Sequence, residues 1–275
     1  MQSYVTTQRN KQQIPSISEI RVKQLCMLNH VVSVCEENKL EYFLEGGTLA
    51  GSLVNNGFGK YDDDIDISMP RADFEAFIEI YHQHLPEDYY LDYFTTTQNY
   101  SLVFAKIKDA SMYYPEKNRP DNEIGHVFID IFPLDEMERK AGITTNLIIF
   151  MNNVIKNMIF IRNSSKELSI LEMIYRQFLK IIPTTYLFSI YYLLFTRRNT
   201  EYCINHGGRK GRQKNQVIEK KSYSPAKQHA FMGAVYSIPC IPEDIIGTYG
   251  ERYLDRYRAK NVYSHLKKDN ELIKR

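Results

Sequence analysis

Tryptophan is absent from this 275-residue chain, cysteine occurs four times, and neither sign of charge prevails: 35 basic residues stand against 33 acidic ones, a net charge of +2. So even a balance gives no general affinity for polyanions, and without an arginine-rich arm no nucleic-acid partner is expected. Cys26, Cys35, Cys203 and Cys240 show no C-x-x-C spacing and no accompanying histidine pattern. That excludes a cysteine-based metal centre and leaves buried free thiols in a reducing cytosol. Met1 to Asn10 is polar and lacks the apolar core of a secretory leader. Internal repeats and long low-complexity segments are missing too. No apolar run reaches the roughly 20 residues that a helix needs to cross a bilayer. The greasiest stretch, 181–195, is interrupted by Pro183, Thr184, Thr185 and Ser189. The expectation is a cytoplasmic protein of one large or two small domains.

What is present is concentrated between Tyr42 and Asp73. Asp62, Asp63, Asp64 and Asp66 fall within five positions beside apolar residues, and that density of negative charge calls for a cation. Asp64-Ile65-Asp66-Ile67 alternates acid with β-branched residue, the pattern of a strand with one buried face. On such a strand Asp64 and Asp66 share a face and suit a hard ion, Mg²⁺ or Mn²⁺. Upstream, Gly46-Gly47-Thr48 closes one apolar run and opens a helical one. Free backbone N–H groups at that step favour an anion, so metal and phosphate together are expected.

The flanking elements follow the same logic. Ser16 and Glu19 stand at capping-box spacing before an apolar stripe of Leu25, Leu28, Val32 and Cys35, which predicts a helix ending near Asn38. A short strand over 40–44 leads into the glycine pair. Thr48 is read as the N-cap of a helix to about Val54, stopped by Asn55-Asn56-Gly57. Pro70 opens the next helix, whose core face is Phe74, Phe77 and Tyr81. Strands are predicted over 91–94, 102–108 and 127–132, the last ended by Pro133. Asp130 lies in the middle of that last run, and a lone buried carboxylate needs a metal, an arginine or backbone donors. Residues 141–198 read as helical, 201–221 as a basic loop, and 242–257 as a final helical region broken at Gly247 and Gly250. Tyrosines and flanking cations suit 181–195 to a buried helix and to a membrane-surface helix equally.

Two acids on one strand, a third on another and a Gly-Gly-helix step form the set that a phosphorus-transfer site requires: carboxylates hold divalent ions and the ions clamp the reacting oxygens. An EF-hand frame beginning at Asp62 fails, with Ile67 where glycine is needed and Pro70 at the ninth position. A glycosyltransferase using D-x-D remains a rival, although a nucleotide-binding βαβ unit does not precede this motif. A nucleotidyltransferase that leaves the nucleotide on its acceptor would share all the acids.

The sequence resembles the LicD family of phosphotransferases, whose relatives include the animal fukutin and fukutin-related proteins. The resemblance is carried by Y-F-L-E-G-G-T-L-A-G-S at 42–52 and G-F-G-K-Y-D-D-D-I-D-I-S-M-P-R-A-D-F at 57–74. F-A-K-I-K-D-A-S at 104–111, V-F-I-D-I-F-P-L-D at 127–135 and P-E-D-I-I-G-T-Y-G-E-R-Y at 242–253 add to it. It implies an α+β fold: a nucleotidyltransferase-like mixed β-sheet core over 15–140, then a helical insertion and helical C-terminal part over 141–265. It also implies a CDP-activated donor, such as CDP-choline, and transfer of a phosphoalcohol to a sugar hydroxyl of a surface glycan, teichoic acid or lipid-linked precursor. By position, Asp64, Asp66 and Asp130 become catalytic metal ligands. Gly46, Gly47 and Thr48 become the phosphate-facing turn, and Lys106 and Arg71 join the donor-binding set. A lipid-linked acceptor would suit peripheral membrane contact through 181–195. The chain departs from the family pattern at Val54-Asn55, at Lys60-Tyr61 and in Y-G-E-R-Y, so glycerol phosphate and ribitol phosphate donors stay open beside choline.

Overall fold

The computed structural model describes residues 15–60, 62–114, 125–138, 141–163, 168–195, 200–207, 216–250 and 252–258. The polar N-terminus, the tail after Lys267, Arg197 and Arg198, and the glycines at 208 and 211 of the basic loop lie outside them.

Helix α1 (Ile17–Glu37) begins where the capping box predicts: Ser16 and Glu19 make both reciprocal bonds, and Asn38 closes the helix. It is followed by β1 (Phe43–Leu44), α2 (Gly46–Asn55), β2 (Asp66–Pro70), α3 (Arg71–Tyr81), β3 (Tyr89–Asp92), β4 (Ala105–Tyr113) and β5 (His126–Met137). Helices α4 (Ile143–Asn163), α5 (Ile170–Leu179) and α6 (Thr184–Phe195) come next. The chain then returns to strands β6 (Tyr202–Asn205) and β7 (Ile218–Glu219), a hairpin β8 (Lys227–Phe231) and β9 (Ala234–Ile238), and ends in α7 (Pro242–Gly247) and α8 (Tyr253–Arg258).

The main sheet runs β1-β2-β5-β4-β3, with β6 and β7 continuing from the far end of β5. Only the β2–β5 pair is parallel among these ladders. The α+β class with a mixed sheet is therefore observed. The part after 141 is less purely helical than the apolar runs suggest, because β6 and β7 extend the sheet and β8–β9 packs back towards β1 and α2.

Strand β5 also runs through Pro133 instead of stopping there. The N–H of Asp130 points to β2, donating to the Ile65 carbonyl at 2.9 Å. By the twofold alternation of a strand, position 133 faces the other neighbour. On that side β4 pairs with residues 127–131 and β6 with 134–137, so Pro133 falls in the gap where no donor is required.

One core cluster binds α1, α2, α3 and the hairpin to the sheet, with Phe74, Phe77 and Tyr81 fully buried as their spacing predicts. A second fills the space between α4, α6 and the end of the sheet, where Phe188 stacks on Phe94 at 4.1 Å. Cys35 and Cys203 are buried free thiols, but Cys26 is exposed, because it lies off the apolar stripe of α1.

Candidate active site

Strand β2 begins at Asp66, and residues 62–65 form an irregular lead-in instead of the first half of an alternating strand. That lead-in is fixed through its main chain. Arg21 of α1 donates to the carbonyls of Gly59 (2.5 Å) and Asp62 (2.7 and 2.9 Å), and Gln24 donates to those of Asp63 (2.8 Å) and Phe128 (3.1 Å). The Thr48 hydroxyl accepts the Asp66 N–H at 2.9 Å. Thr48 is thus a fully buried brace inside α2 and not its cap; the helix starts two residues earlier, behind Glu45.

The parallel register sets Asp66 beside Asp130, and the antiparallel register sets Asp130 beside Lys106. Two predicted acids and the predicted lysine therefore form one row across β2, β5 and β4. Lys106 donates to Asp130 Oδ1 at 2.6 Å, and its ammonium lies 3.4 Å from the centre of the Phe128 ring. Both members of the pair are buried, so Lys106 supplies the countercharge that Asp130 requires. Asp64 and Asp66 remain half-exposed, as does Gly47, while Asp62 and Asp63 are buried beneath them.

The glycine pair lies directly against the acids. A Cβ on Gly46 would stand 2.5 Å from Asp66 Oδ2, and one on Gly47 would stand 3.1 Å from Asp62 Oδ1. Gly46 also has φ +55°, in the left-handed region. Glu45 does not cap α2 with its side chain. Its carboxylate instead accepts from Ser68 (2.9 Å), Tyr223 (3.1 Å) and Tyr249 (2.8 Å). The positive end of α2 therefore opens beside a cluster of carboxylates.

Residues 39–170 match the family model described as LicD/FKTN/FKRP, nucleotidyltransferase domain. This chain carries a LicD-family domain. Over 131 residues it is 32% identical to lipopolysaccharide cholinephosphotransferase LicD of Haemophilus influenzae, a stretch that makes up 45% of this chain and 47% of that protein. The chain thus spans about half the length of the curated relative it matches.

Within the LicD-type site, Asp62 is a member that sequence reasoning left out of the ligand set. Burial, and next the charge of Asp64, hold its carboxyl well above the usual carboxylate range, against a 2.9 Å hydrogen bond from the Tyr257 hydroxyl. Tyr257 was left out as well, and Tyr249, though part of the Y-G-E-R-Y element, was given no role in the site; about two hundred residues separate them from Glu45 and Asp62. The only hint in the sequence is their spacing with Tyr253 at every fourth position, which stacks the three rings along one side.

Arg71 is not brought to the acids. It is buried at the start of α3, where its Nε and Nη2 contact Asp135 Oδ1 at 2.7 and 2.6 Å. Burial works against both charges; Asp135 more than offsets this for the guanidinium, which is held well above its ordinary range. The Pro70 entry points Arg71 towards the end of β5, so a structural ion pair replaces the expected donor contact. A surface cavity of about 460 Å³, lined in part by Glu75, His82, Tyr93 and Tyr192, has none of the acidic-site residues in its wall.

Among the described residues, no group of three or more His, Cys, Asp or Glu side chains is arranged to hold a metal by itself. The donor chemistry nonetheless suits a hard cation. Mg²⁺ is commonly held by one or two carboxylates, with water and substrate phosphates supplying the rest. Asp66 and Asp130, side by side across the parallel ladder, meet that smaller requirement.

Proposed function

We propose that this protein transfers a phosphoalcohol, phosphocholine or a close analogue, from a CDP-activated donor to a sugar hydroxyl of a lipopolysaccharide or other surface-glycan precursor. The observation that carries the reading is the row Asp66–Asp130–Lys106 beside Gly46, where acids, a cation and a helix N-terminus meet across the central strands of the sheet. The chemistry named for the Haemophilus influenzae relative points the same way.

In this reading Asp66 and Asp130, with Asp64 at the rim, hold Mg²⁺ or Mn²⁺. When bound, that ion would neutralise the donor diphosphate and polarise the phosphorus under attack. The N–H groups opening α2 receive phosphate oxygens, a role that Gly46 and Gly47 permit because no Cβ intervenes. Lys106 balances either Asp130 or a donor phosphate, and so couples donor binding to the state of Asp130. A sugar hydroxyl must lose its proton during attack. Asp130, paired with Lys106, is the carboxylate assigned to accept that proton.

The test is a screen of CDP-choline, CDP-glycerol, CDP-ribitol, CTP and nucleotide sugars, with Mn²⁺ and a sugar acceptor, reading the nucleotide or pyrophosphate released. CMP is the expected product. Pyrophosphate from CTP, or UDP from a UDP-sugar, would replace this reading with nucleotidyl or glycosyl transfer. Thermal melts give a second readout: metal and CDP-alcohol together should raise the Tm more than the sum of their separate effects.

A further inference from the structure

Helix α5 is turned inside out for a water-soluble protein. Its Ser169–Glu172 capping box is complete, so the helix is well defined, yet Leu179 is the only residue within it that is buried. At 100° per residue, Ile170, Leu171, Ile174, Phe178 and the following Ile181 fall within a single quadrant of about 100°. That quadrant lies opposite Leu179 and the Arg176 side chain, which anchors the helix by donating to the Ile161 carbonyl at 2.7 Å. Ile170, Leu171, Phe178 and Ile181 are 65–80% exposed, and Ile174 is 52% exposed. Helix α4 repeats the pattern in its first three turns: Ile143, Leu147, Phe150 and Val154, at heptad-like spacing, are all exposed. Exposed apolar stripes on two helices that pack together mark an interaction surface.

Charge indicates what covers it. Residues 143–198 contain seven basic and two acidic residues, which leaves 28 basic against 31 acidic in the rest of the chain. The near-neutral total thus hides a cationic helical part joined to a slightly anionic body. One of the two acids, Glu172, is occupied in capping its own helix. Lys180 stands exposed at the end of α5, and the half-exposed Tyr175 and Tyr186 stand near the stripe. An apolar stripe within a cationic segment, with tyrosines, is the composition of a helix lying in a bilayer interface. A helix-pairing seam would instead carry acids and bases in alternation beside a narrower apolar line. Ten residues are too few to cross a membrane, and among the described residues no helix is long and apolar enough to do so.

We infer that the outer face of α5, extended by the first turns of α4, seats this protein on the surface of an anionic lipid bilayer. The seat is displaced from the run at 181–195 that hydropathy singles out: in α6 Leu187, Phe188 and Tyr191 are spent on the protein's own core. The surface is independent of which donor the acidic site uses.

Flotation of the full-length chain with phosphatidylglycerol–phosphatidylcholine vesicles tests the inference directly. The wild type should float with the mixed vesicles and less with phosphatidylcholine alone. Ile174→Gln/Phe178→Gln should weaken binding at least tenfold, and Lys180→Gln should weaken it less and only at low salt. Val235→Gln, at an exposed apolar residue of the hairpin, should float like the wild type. Circular dichroism and melting of the double variant should match wild type, since neither side chain is part of the core. A wild type that does not float, or a double variant that floats equally well, overturns the inference. So does a wild-type dimer that the double substitution converts to monomer without any vesicle binding, which would make the face a protein–protein contact.

Discussion

Replacing Gly46 by alanine tests the join between fold and site at a single atom. The backbone there has φ +55°, which costs an L-residue about 1–2 kcal/mol. The alanine also restricts the unfolded chain, returning about 0.4–1 kcal/mol. The net loss is about 1 kcal/mol, or a fall of about 2–4 °C in Tm for a chain of this size. The larger effect is local. The new methyl would lie 2.5 Å from Asp66 Oδ2, inside any real contact, and the carboxylate is the part able to yield. It would be pushed out of its row with Asp130, and CMP release from a CDP-alcohol should fall by about tenfold or more. Gly47→Ala is the control for stability alone, since Gly47 shares the phosphate-facing turn. Its backbone is ordinary, its methyl would meet Asp62 at 3.1 Å, and alanine suits a helix better than glycine. Its stability should equal or exceed that of the wild type. A Gly46→Ala protein with the wild-type Tm and release rate would show that the contact with Asp66 shapes nothing.

Asp64→Asn and Asp66→Asn should each abolish transfer without loss of Tm in metal-free buffer; for Asp64→Asn the Tm should rise, because that charge helps to raise the buried Asp62. Normal turnover in either variant would end the metal-ligand assignment. Lys106→Met leaves Asp130 buried without its ammonium and should cost about 3–5 kcal/mol in urea unfolding, with much of the loss recovered in Lys106→Met/Asp130→Leu. If the double variant is no more stable than the single one, the pair is not the reason that Asp130 tolerates burial. Arg71→Met should cost a similar amount by stranding Asp135, while the KM for the donor stays unchanged. A raised KM at full stability would return Arg71 to the donor site.

Much of this was legible from local pattern. The capping box at Ser16–Glu19, the core face of α3 and the stop at Asn56 are short-range features, and each is written in adjacent residues. The acids could be nominated in the same way, since their density is itself the signal. Their partners could not. Whether Asp130 meets a metal, an arginine or a lysine depends on which strand lies next to β5 and in what register: Lys106 and Lys108 share one face of β4, yet Lys106 pairs with Asp130 and Lys108 with Asp92. The cap of α2 was misplaced by three residues, at Thr48 instead of Glu45, because a glycine pair does not announce a helix start. The role of Tyr249 and Tyr257 could not be read, because nothing local ties a tyrosine to an acid about two hundred residues earlier.

Those two tyrosines place a constraint on time as well as on space. Glu45 and Asp62 are made early, when the chain emerges from the ribosome, but their hydroxyl partners come near its other end. Until then Asp62 has no Tyr257 bond to oppose the charge of Asp64, and Gly59 and Gly51 have no ring packed against them. The acidic site is therefore completed only once Tyr249 and Tyr257 are in place, whatever the order in which its strands form. A nascent chain released after the span matched by the family model would hold every predicted acid and still lack the groups that set their shape.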